Sequence, residues 1–117
     1  MKKKVLVIDD ELDLCALIRL VFMRENFVVD CAYNLKEAST KLPAHPDIVL
    51  LDNNLPDGLG IEYYGAHAKA FEDCHIVMMS ADGSEKTKAM ARKAGITEFI
   101  QKPFTMQKMK DIMDKNR

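Results

Sequence analysis

Residues 47–52 read Asp-Ile-Val-Leu-Leu-Asp, an apolar run that ends on the carboxylate of Asp52. A uniformly apolar run of this length is typical of a parallel strand that is buried on both faces. Residues 5–11 repeat the pattern, because Val-Leu-Val-Ile is followed there by Asp-Asp-Glu. Neighbouring parallel strands end at the same edge of a sheet, where open α/β sheets place their binding sites. The two runs therefore predict a concentrated anionic pocket at that edge.

The predicted pocket needs a cation, because several carboxylates that lie close together repel one another. Asp9, Asp10 and Asp52 are the acids that the two runs would bring together. Without a cation, at least one of them should have a raised pKa. Mg2+ favours carboxylate oxygens as ligands. We therefore predict that Mg2+ binds at this edge and stabilises the folded chain.

Strand-like and helix-like patterns alternate along the whole chain. The predicted strands cover residues 5–8, 27–33, 48–51, 75–79 and 97–100. The predicted helices cover about residues 14–22, 34–42, 59–71, 84–94 and 105–113. This alternation with short connections implies right-handed crossovers and a parallel sheet that is covered on both faces. We predict an α/β, flavodoxin-like doubly wound (βα)5 fold with a five-stranded parallel sheet of order 2-1-3-4-5, in which the first and third strands are neighbours.

Several helix signals make specific local predictions. Asn34 is a good N-cap and Glu37 completes a pattern that resembles a capping box, while Thr105 can cap the last helix. Gly95 is a candidate C′ residue after the fourth helix. Gly65 costs about 1 kcal/mol relative to Ala inside the third helix, and we expect close packing to be the reason. Helical spacing predicts three core-facing stripes, namely Leu14, Leu17, Ile18, Val21 and Phe22; Ile61, Tyr64, Ala68 and Phe71; and Met106, Met109, Ile112 and Met113.

Composition and charge exclude several classes of function. A chain of 117 residues suits one domain, here residues 1–117, and 48% hydrophobic with 30% charged residues is ordinary for a globular protein. The net charge of -1 gives no electrostatic reason to bind nucleic acid or a membrane surface. No stretch approaches the ~18 apolar residues of a transmembrane helix. Three cysteines without Cys-x-x-Cys spacing indicate reduced, mostly buried thiols. We expect a cytoplasmic domain without a direct nucleic acid contact and without a membrane contact.

Four of the predicted loops begin with chemically distinctive residues. In chain order they carry Asp9 and Asp10, Asp52 and Asn54, Ser80 and Ala81, and Lys102 and Pro103. A phosphoryl group needs this set: a metal and an ammonium neutralise its oxygens, a hydroxyl donates to it, and a carboxylate attacks phosphorus. Singly, each residue has a plainer reading, such as helix capping by Asp9 and Asp10 or a solvated side chain for Lys102. Only their joint order favours a phosphoryl site.

With these motifs the chain resembles the receiver domain of bacterial two-component response regulators. The motifs are Val-Ile-Asp-Asp-Glu at 7–11, Leu-Leu-Asp-Asn-Asn-Leu-Pro-Asp-Gly at 50–58, Met-Ser-Ala at 79–81 and Phe-Ile-Gln-Lys-Pro-Phe at 99–104. The resemblance covers essentially the whole chain. It implies a signalling phosphoacceptor, not an enzyme, that takes a phosphoryl group from a sensor histidine kinase or a phosphotransfer protein in a Mg2+-dependent reaction.

The resemblance also implies a role for each acidic residue of the site. Asp52 is the phosphoacceptor and a metal ligand. Asp10 binds Mg2+ directly, Asp9 acts through water, and the backbone carbonyl of Asn54 is the other protein ligand. Asn54 and Asp82 flank the approach of water to the phosphoryl group, and both are small and polar, so we expect a phosphorylated state that lasts seconds to minutes.

The resemblance completes the site with a catalytic set and a switch. Ser80 hydrogen-bonds the phosphoryl group and Lys102 pairs with it, so that these two act with Asp52 in catalysis. The Lys102–Pro103 peptide bond is expected to be cis. Phe99 matches the switch aromatic of the family, without the hydroxyl of the Tyr found in many relatives. Ser80 lacks the γ-methyl of the commoner Thr, so its coupling to Phe99 should be looser.

The same resemblance implies how the signal leaves the domain. Helix four, strand five and helix five form the expected output face, which binds a downstream protein or an output domain of the same polypeptide. It also allows dimerisation on phosphorylation. We expect either a single-domain regulator or the N-terminal part of a longer transcriptional regulator.

Two other functions fit the predicted fold less well. A Mg2+-dependent phosphohydrolase typically carries Asp-x-Asp at its nucleophile, whereas Asn54 replaces the second acid here. A flavodoxin-like cofactor binder needs a phosphate-cradling loop after the first strand, where this chain carries acids instead. A dinucleotide site is not supported, because Tyr63 stands where Gly-x-Gly-x-x-Gly would place its last glycine.

Overall fold

The computed structural model describes residues 2–117, in which parallel strands form a central sheet and helices cover both of its faces. The sheet strands are β1 (Lys4–Ile8), β2 (Val28–Ala32), β3 (Ile48–Asp52), β4 (His75–Ser80) and β5 (Glu98–Gln101). The helices are α1 (Leu12–Arg24), α2 (Leu35–Lys41), α3 (Gly60–Ala66), α4 (Glu85–Lys93) and α5 (Met106–Lys115). Short 3-10 turns at Leu42–Ala44 and Ala68–Phe71 follow α2 and α3, and an antiparallel hairpin pairs Asn54–Leu55 with Gly58–Leu59 between β3 and α3.

The sheet order is β2-β1-β3-β4-β5, which confirms the predicted order 2-1-3-4-5. The chain reverses its direction of winding between β1 and β3, and such a switch point is where doubly wound sheets bind ligands. In the register of this central pair, Ile8 lies beside Leu51. The next residues, Asp9 and Asp52, therefore leave the sheet side by side.

Alternate residues of the central strands face two separate cores. One core joins the sheet to α1 and α5, and its members include Val5, Val7, Ile48, Leu50, Ile18, Phe22, Met109, Ile112 and Met113. The other joins the sheet to α2 and α4, and its members include Leu6, Ile8, Val49, Leu51, Leu35, Ala38 and Ala91. Since each fully buried large apolar side chain stabilises the fold by roughly 1.5–3 kcal/mol, the two cores hold the loop ends of the sheet rigidly.

The predicted helix caps form, but one side chain bonds the residue before the expected one. The Asn34 side chain accepts a hydrogen bond from the Glu37 N–H at 2.7 Å. The Glu37 carboxylate accepts from the Tyr33 N–H at 2.9 Å rather than from Asn34, so the box closes one residue earlier than a standard capping box. The Thr105 hydroxyl caps α5, and Gly95 follows α4 with φ +100°.

The third helix differs from its predicted course. It ends at Ala66, and the tighter turn Ala68–Phe71 replaces its last part while still burying Phe71. The predicted close packing at Gly65 is wrong, because a methyl group added there would meet no atom within 4 Å. Gly65 is exposed. No close contact therefore offsets the stability that the helix loses by having Gly instead of Ala at this position.

Three residues of the predicted core stripes face solvent, and one of them is Ala68, which is exposed in the turn after α3. Leu17 in α1 is 44% exposed and Met106 in α5 is 54% exposed. The sheet covers a narrower arc of each helix than the periodicity suggests, since Ile18 and Met109 are buried while these neighbours are not. The thiols agree with prediction, because Cys15 and Cys31 are buried, Cys74 is half-buried and all are free. None of the helices within residues 2–117 combines the length and the apolar character needed to cross a membrane.

Candidate functional site

The loops after β1, β3, β4 and β5 meet at one edge of the sheet. Parallel pairing places Ser80 one residue beyond the level of Asp52, and Ser80 lies beside Gln101. The Lys102 N–H donates to the Ser80 carbonyl at 2.8 Å, which fixes the start of the last loop. Asp9, Asp52 and Ser80 are buried despite their polarity. The structure thus brings together the acids, the hydroxyl and the lysine that the sequence indicated.

Asp9, Asp10 and Asp52 form a compact acidic cluster. Each offers a carboxylate oxygen, and these oxygens lie within 4.8 Å of one another. Burial, together with the Asp9 charge, raises the pKa of Asp52 to about 6, although Lys102 opposes the rise. The predicted raised pKa in this cluster is therefore confirmed at Asp52. Three hard oxygen donors at this spacing fit Mg2+.

Lys102 supplies the positive charge of the site. Its Nζ lies 2.6 Å from Asp9 Oδ2, 3.1 Å from Glu11 Oε1 and 3.4 Å from Asp52 Oδ2. Burial alone would lower the pKa of Lys102, but Asp9 and Asp52 outweigh it and raise the pKa, so the ammonium stays charged. The peptide bond to Pro103 is cis. The contact with Glu11 was not predicted, although Glu11 stands in the acidic run after β1.

Ser80 and Asp82 begin the loop that leads into α4. The Ser80 Oγ accepts the Asp82 N–H at 3.1 Å. The Asp82 carboxylate accepts from the Ser84 N–H at 3.0 Å and from the Thr87 hydroxyl at 2.6 Å. The Thr87 bond, and after it the Ser84 bond, lowers the pKa of Asp82. The side chain of Asp82 is thus tied to α4, and it connects Ser80 with that helix.

The loop after β3 places Asn54 beside Asp52. The Asn54 N–H donates to Asp52 Oδ1 at 3.3 Å. Asn54 itself is exposed. Gly60 closes this loop, and a Cβ at that position would lie 2.4 Å from the Asp52 carbonyl oxygen. Only a residue without a side chain lets α3 start this close to the end of β3. The sequence marks Gly60 only by its spacing after Gly58, and that spacing does not reveal the close approach to β3.

Phe99 lies on β5, away from the acidic cluster. It pairs in register with Met78, two residues before the level of Ser80. Its ring is half-buried and packs against the core that holds α2 and α4. The structure therefore places Phe99 on the strand next to the one that leads into Ser80.

Comparisons with known proteins agree with this geometry. A family model for the response regulator receiver domain matches residues 5–114. The chain is 37% identical over 103 residues to the transcriptional regulatory protein ResD of Bacillus subtilis and 31% identical over 113 residues to the response regulator protein PilR of Pseudomonas aeruginosa. The structure of the chemotaxis response regulator CheY4 of Vibrio cholerae matches with a TM-score of 0.90 at 22% identity over 100% of both chains, which shows a shared fold.

The two curated relatives are much longer than the matched region. The alignments cover 87% and 96% of this chain but only 42% of ResD and 25% of PilR. The chain therefore spans less than half the length of either relative, and the match concerns only that part of each protein.

Proposed function

Because the chain belongs to the response regulator receiver domain family, we propose that it is a phosphorylation-controlled signalling module. A sensor histidine kinase or a phosphotransfer protein transfers a phosphoryl group to Asp52 in a Mg2+-dependent reaction. Phosphorylation then changes the affinity for a downstream partner. In this proposal residues 1–117 form one receiver domain, and the chain is a phosphoacceptor rather than an enzyme with a separate substrate.

The observation that carries the proposal is the charge arrangement around Asp52. One ammonium, that of Lys102, stands 3.4 Å from Asp52 Oδ2, while Asp9 and Asp10 crowd the same space. A structural ion pair needs one acid for each base, whereas a phosphoryl site needs additional carboxylates for the accompanying cation. A pKa of about 6 leaves Asp52 mainly ionised at pH 7, so that its oxygen can attack phosphorus.

The surrounding residues have distinct roles in the proposed transfer. When bound, Mg2+ neutralises charge on the phosphoryl oxygens; Asp10, Asp52 and the Asn54 carbonyl would hold it directly, and Asp9 would hold it through water. The ammonium of Lys102, oriented by Asp9 at 2.6 Å, pairs with the phosphoryl group. The buried Ser80 hydroxyl donates a hydrogen bond to a phosphoryl oxygen.

The proposed switch starts at Ser80 and leads to α4. A phosphoryl group that draws the Ser80 side chain disturbs its bond from the Asp82 N–H. The half-buried ring of Phe99 then turns inward into the space that Ser80 vacates, and the loop moves with it. We propose that α4, β5 and α5 form the output face for a downstream protein, for an output domain of the same polypeptide, or for a second copy on phosphorylation.

Incubation with Mg2+ and a small acyl phosphate should add one phosphoryl group to the wild-type chain, and Asp52→Asn should abolish labelling. The amide cannot act as the nucleophile, although it preserves the shape of the side chain. Intact-mass measurement follows the addition of one phosphoryl group. Asp111→Asn is the matched control, because it makes the same change at an exposed acid of α5 outside the acidic cluster and should leave labelling intact. Full labelling of Asp52→Asn would show that another residue is the acceptor.

The phosphorylated state should be lost within seconds to minutes, because small polar side chains flank the approach of water. Asn54→Met should slow the loss roughly tenfold, since a bulky apolar side chain obstructs water and cannot orient it. Asp82→Asn should change the rate little, because the length is kept and the carboxylate is engaged with α4. Dephosphorylation is measured after the donor is removed. A wild-type half-life of hours that Asn54→Met leaves unchanged would contradict this role of Asn54.

A further inference from the structure

The loop between β3 and α3 is fastened to α2 by the side chain of Asp57. Asp57 Oδ1 accepts the Leu35 N–H at 2.8 Å, and Oδ2 accepts the Lys36 N–H at 3.0 Å. The donors lie 22 and 21 residues earlier in the chain. The Leu35 bond, with the Lys36 bond, lowers the pKa of Asp57. Both carboxylate oxygens therefore remain charged acceptors at neutral pH.

Capping of α2 does not by itself account for this contact. Asn34 already caps the helix from the preceding residue, since its side chain accepts the Glu37 N–H. Asn34 satisfies one of the N–H groups that a helix start leaves free, and Asp57 accepts hydrogen bonds from two others, but it does so from a different segment of the chain. What Asp57 adds is a connection between α2 and the loop.

The connection lies at the tip of the hairpin that carries Asn54. Asn54 pairs with Leu59 in this hairpin, and Asp57 lies in the turn between its two strands. The base of the hairpin is already fixed, because the Asn53 N–H donates to a β4 carbonyl at 3.0 Å and the Asn54 N–H donates to Asp52. The hairpin is thus held at its base by the sheet and at its tip by α2.

We infer that Asp57 is a positioning residue, which holds the hairpin so that Asn54 keeps the place that Mg2+ binding requires. The inference rests on the proposed function, in which the Asn54 carbonyl is a metal ligand. Asp57 touches neither the metal site nor the phosphoryl group, and it acts only through the backbone of the hairpin. Residues hydrogen-bonded directly to metal ligands typically change metal affinity by roughly 10–100-fold when they are replaced, and Asp57, which acts one step further away, should lie at the lower end of that range.

A comparison of Asp57→Ala with Asn34→Ala separates positioning from capping. Both variants remove side-chain acceptors from the start of α2, so both should lose stability. Only Asp57→Ala frees the tip of the hairpin. We expect Mg2+ affinity, measured by calorimetric titration, to fall about tenfold in Asp57→Ala and to stay near the wild-type value in Asn34→Ala. Amide hydrogen exchange in residues 53–59 should accelerate in Asp57→Ala alone. Asp57→Asn keeps one acceptor oxygen and should give an intermediate affinity.

The outcomes distinguish this inference from the proposed function. Equal Mg2+ affinities and equal exchange rates in the two alanine variants would reduce Asp57 to a helix cap and overturn the positioning role alone. A wild-type chain that binds no Mg2+ and takes no label at Asp52 would overturn the proposed function, and the positioning role with it.

Discussion

Alanine at position 60 should lower the free energy of unfolding by about 2–3 kcal/mol. Gly60 is buried at the start of α3, where a Cβ would lie 2.4 Å from the carbonyl oxygen of Asp52 and 3.1 Å from Leu51 Cγ. The nearer contact is with backbone, so rotation of a side chain cannot relieve it. Either α3 or the end of β3 has to move, and a movement of β3 would also displace the Asp52 carboxylate and slow its phosphorylation.

Gly65→Ala is the matched control for this substitution, because it makes the same change in the same helix. A methyl group at Gly65 would meet no atom within 4 Å. Since Ala favours helix over Gly, this variant should gain about 0.5–1 kcal/mol. Urea denaturation at pH 7 measures the free energy of unfolding of the wild type, Gly60→Ala and Gly65→Ala. A Gly60→Ala variant as stable as the wild type would mean that the junction of β3 and α3 yields without cost.

The order of the sheet and the centre of the site could be predicted from sequence because both depend on where strands end. The apolar runs at 5–8 and 48–51 are uniform because both faces of the sheet are covered, and this signal survives without knowledge of the partners. Asp9 and Lys102 are the first residues after their strands, and Asp52 is the last residue of its strand. Once the strand order is known, their proximity follows from the direction of the chain alone.

Features that depend on contacts between distant segments could not be predicted in this way. The contact of Glu11 with Lys102 spans 91 residues, and that of Asp57 with Leu35 spans 22. Neither pair has a local pattern that would mark it. The exposed positions of Leu17 and Met106 have the same cause, because helical periodicity gives the direction of an apolar stripe but not the width of the surface that covers it.

The acidic cluster should make the metal-free protein less stable as the pH rises. The pKa of Asp52 is about 6 in the folded chain, above the value of about 3.9 expected for an unfolded chain. Between these values the folded state binds more protons than the unfolded state, so stability falls with rising pH through the window from about pH 4 to pH 6. Ionised Asp52 then destabilises the fold at pH 7 by up to about 3 kcal/mol, because each pKa unit corresponds to about 1.4 kcal/mol.

Asp52→Asn should therefore raise the free energy of unfolding at pH 7 without Mg2+ by about 1–3 kcal/mol, with little difference at pH 4. The gain in stability is smaller than the full destabilisation caused by ionised Asp52, because the substitution also removes one of the charged partners of Lys102. Urea denaturation of both proteins between pH 4 and pH 8 measures how the free energy of unfolding depends on pH. Asp111→Asn is the control, since Asp111 is exposed on α5 and its replacement should not alter the slope in this window.

Mg2+ should reverse much of this difference between wild type and Asp52→Asn. At a 100-fold excess over its dissociation constant, a ligand of the folded state stabilises it by about 2.7 kcal/mol. The wild type should gain that amount, because three carboxylates converge within 4.8 Å. Asp52→Asn lacks one of them and should gain less, so the gap between the two proteins narrows or closes. An Asp52→Asn variant that is less stable than the wild type at pH 7 without Mg2+, or that gains as much from Mg2+, would contradict an electrostatic conflict centred on Asp52. Such a result would place the repulsion on Asp9 and Asp10 instead.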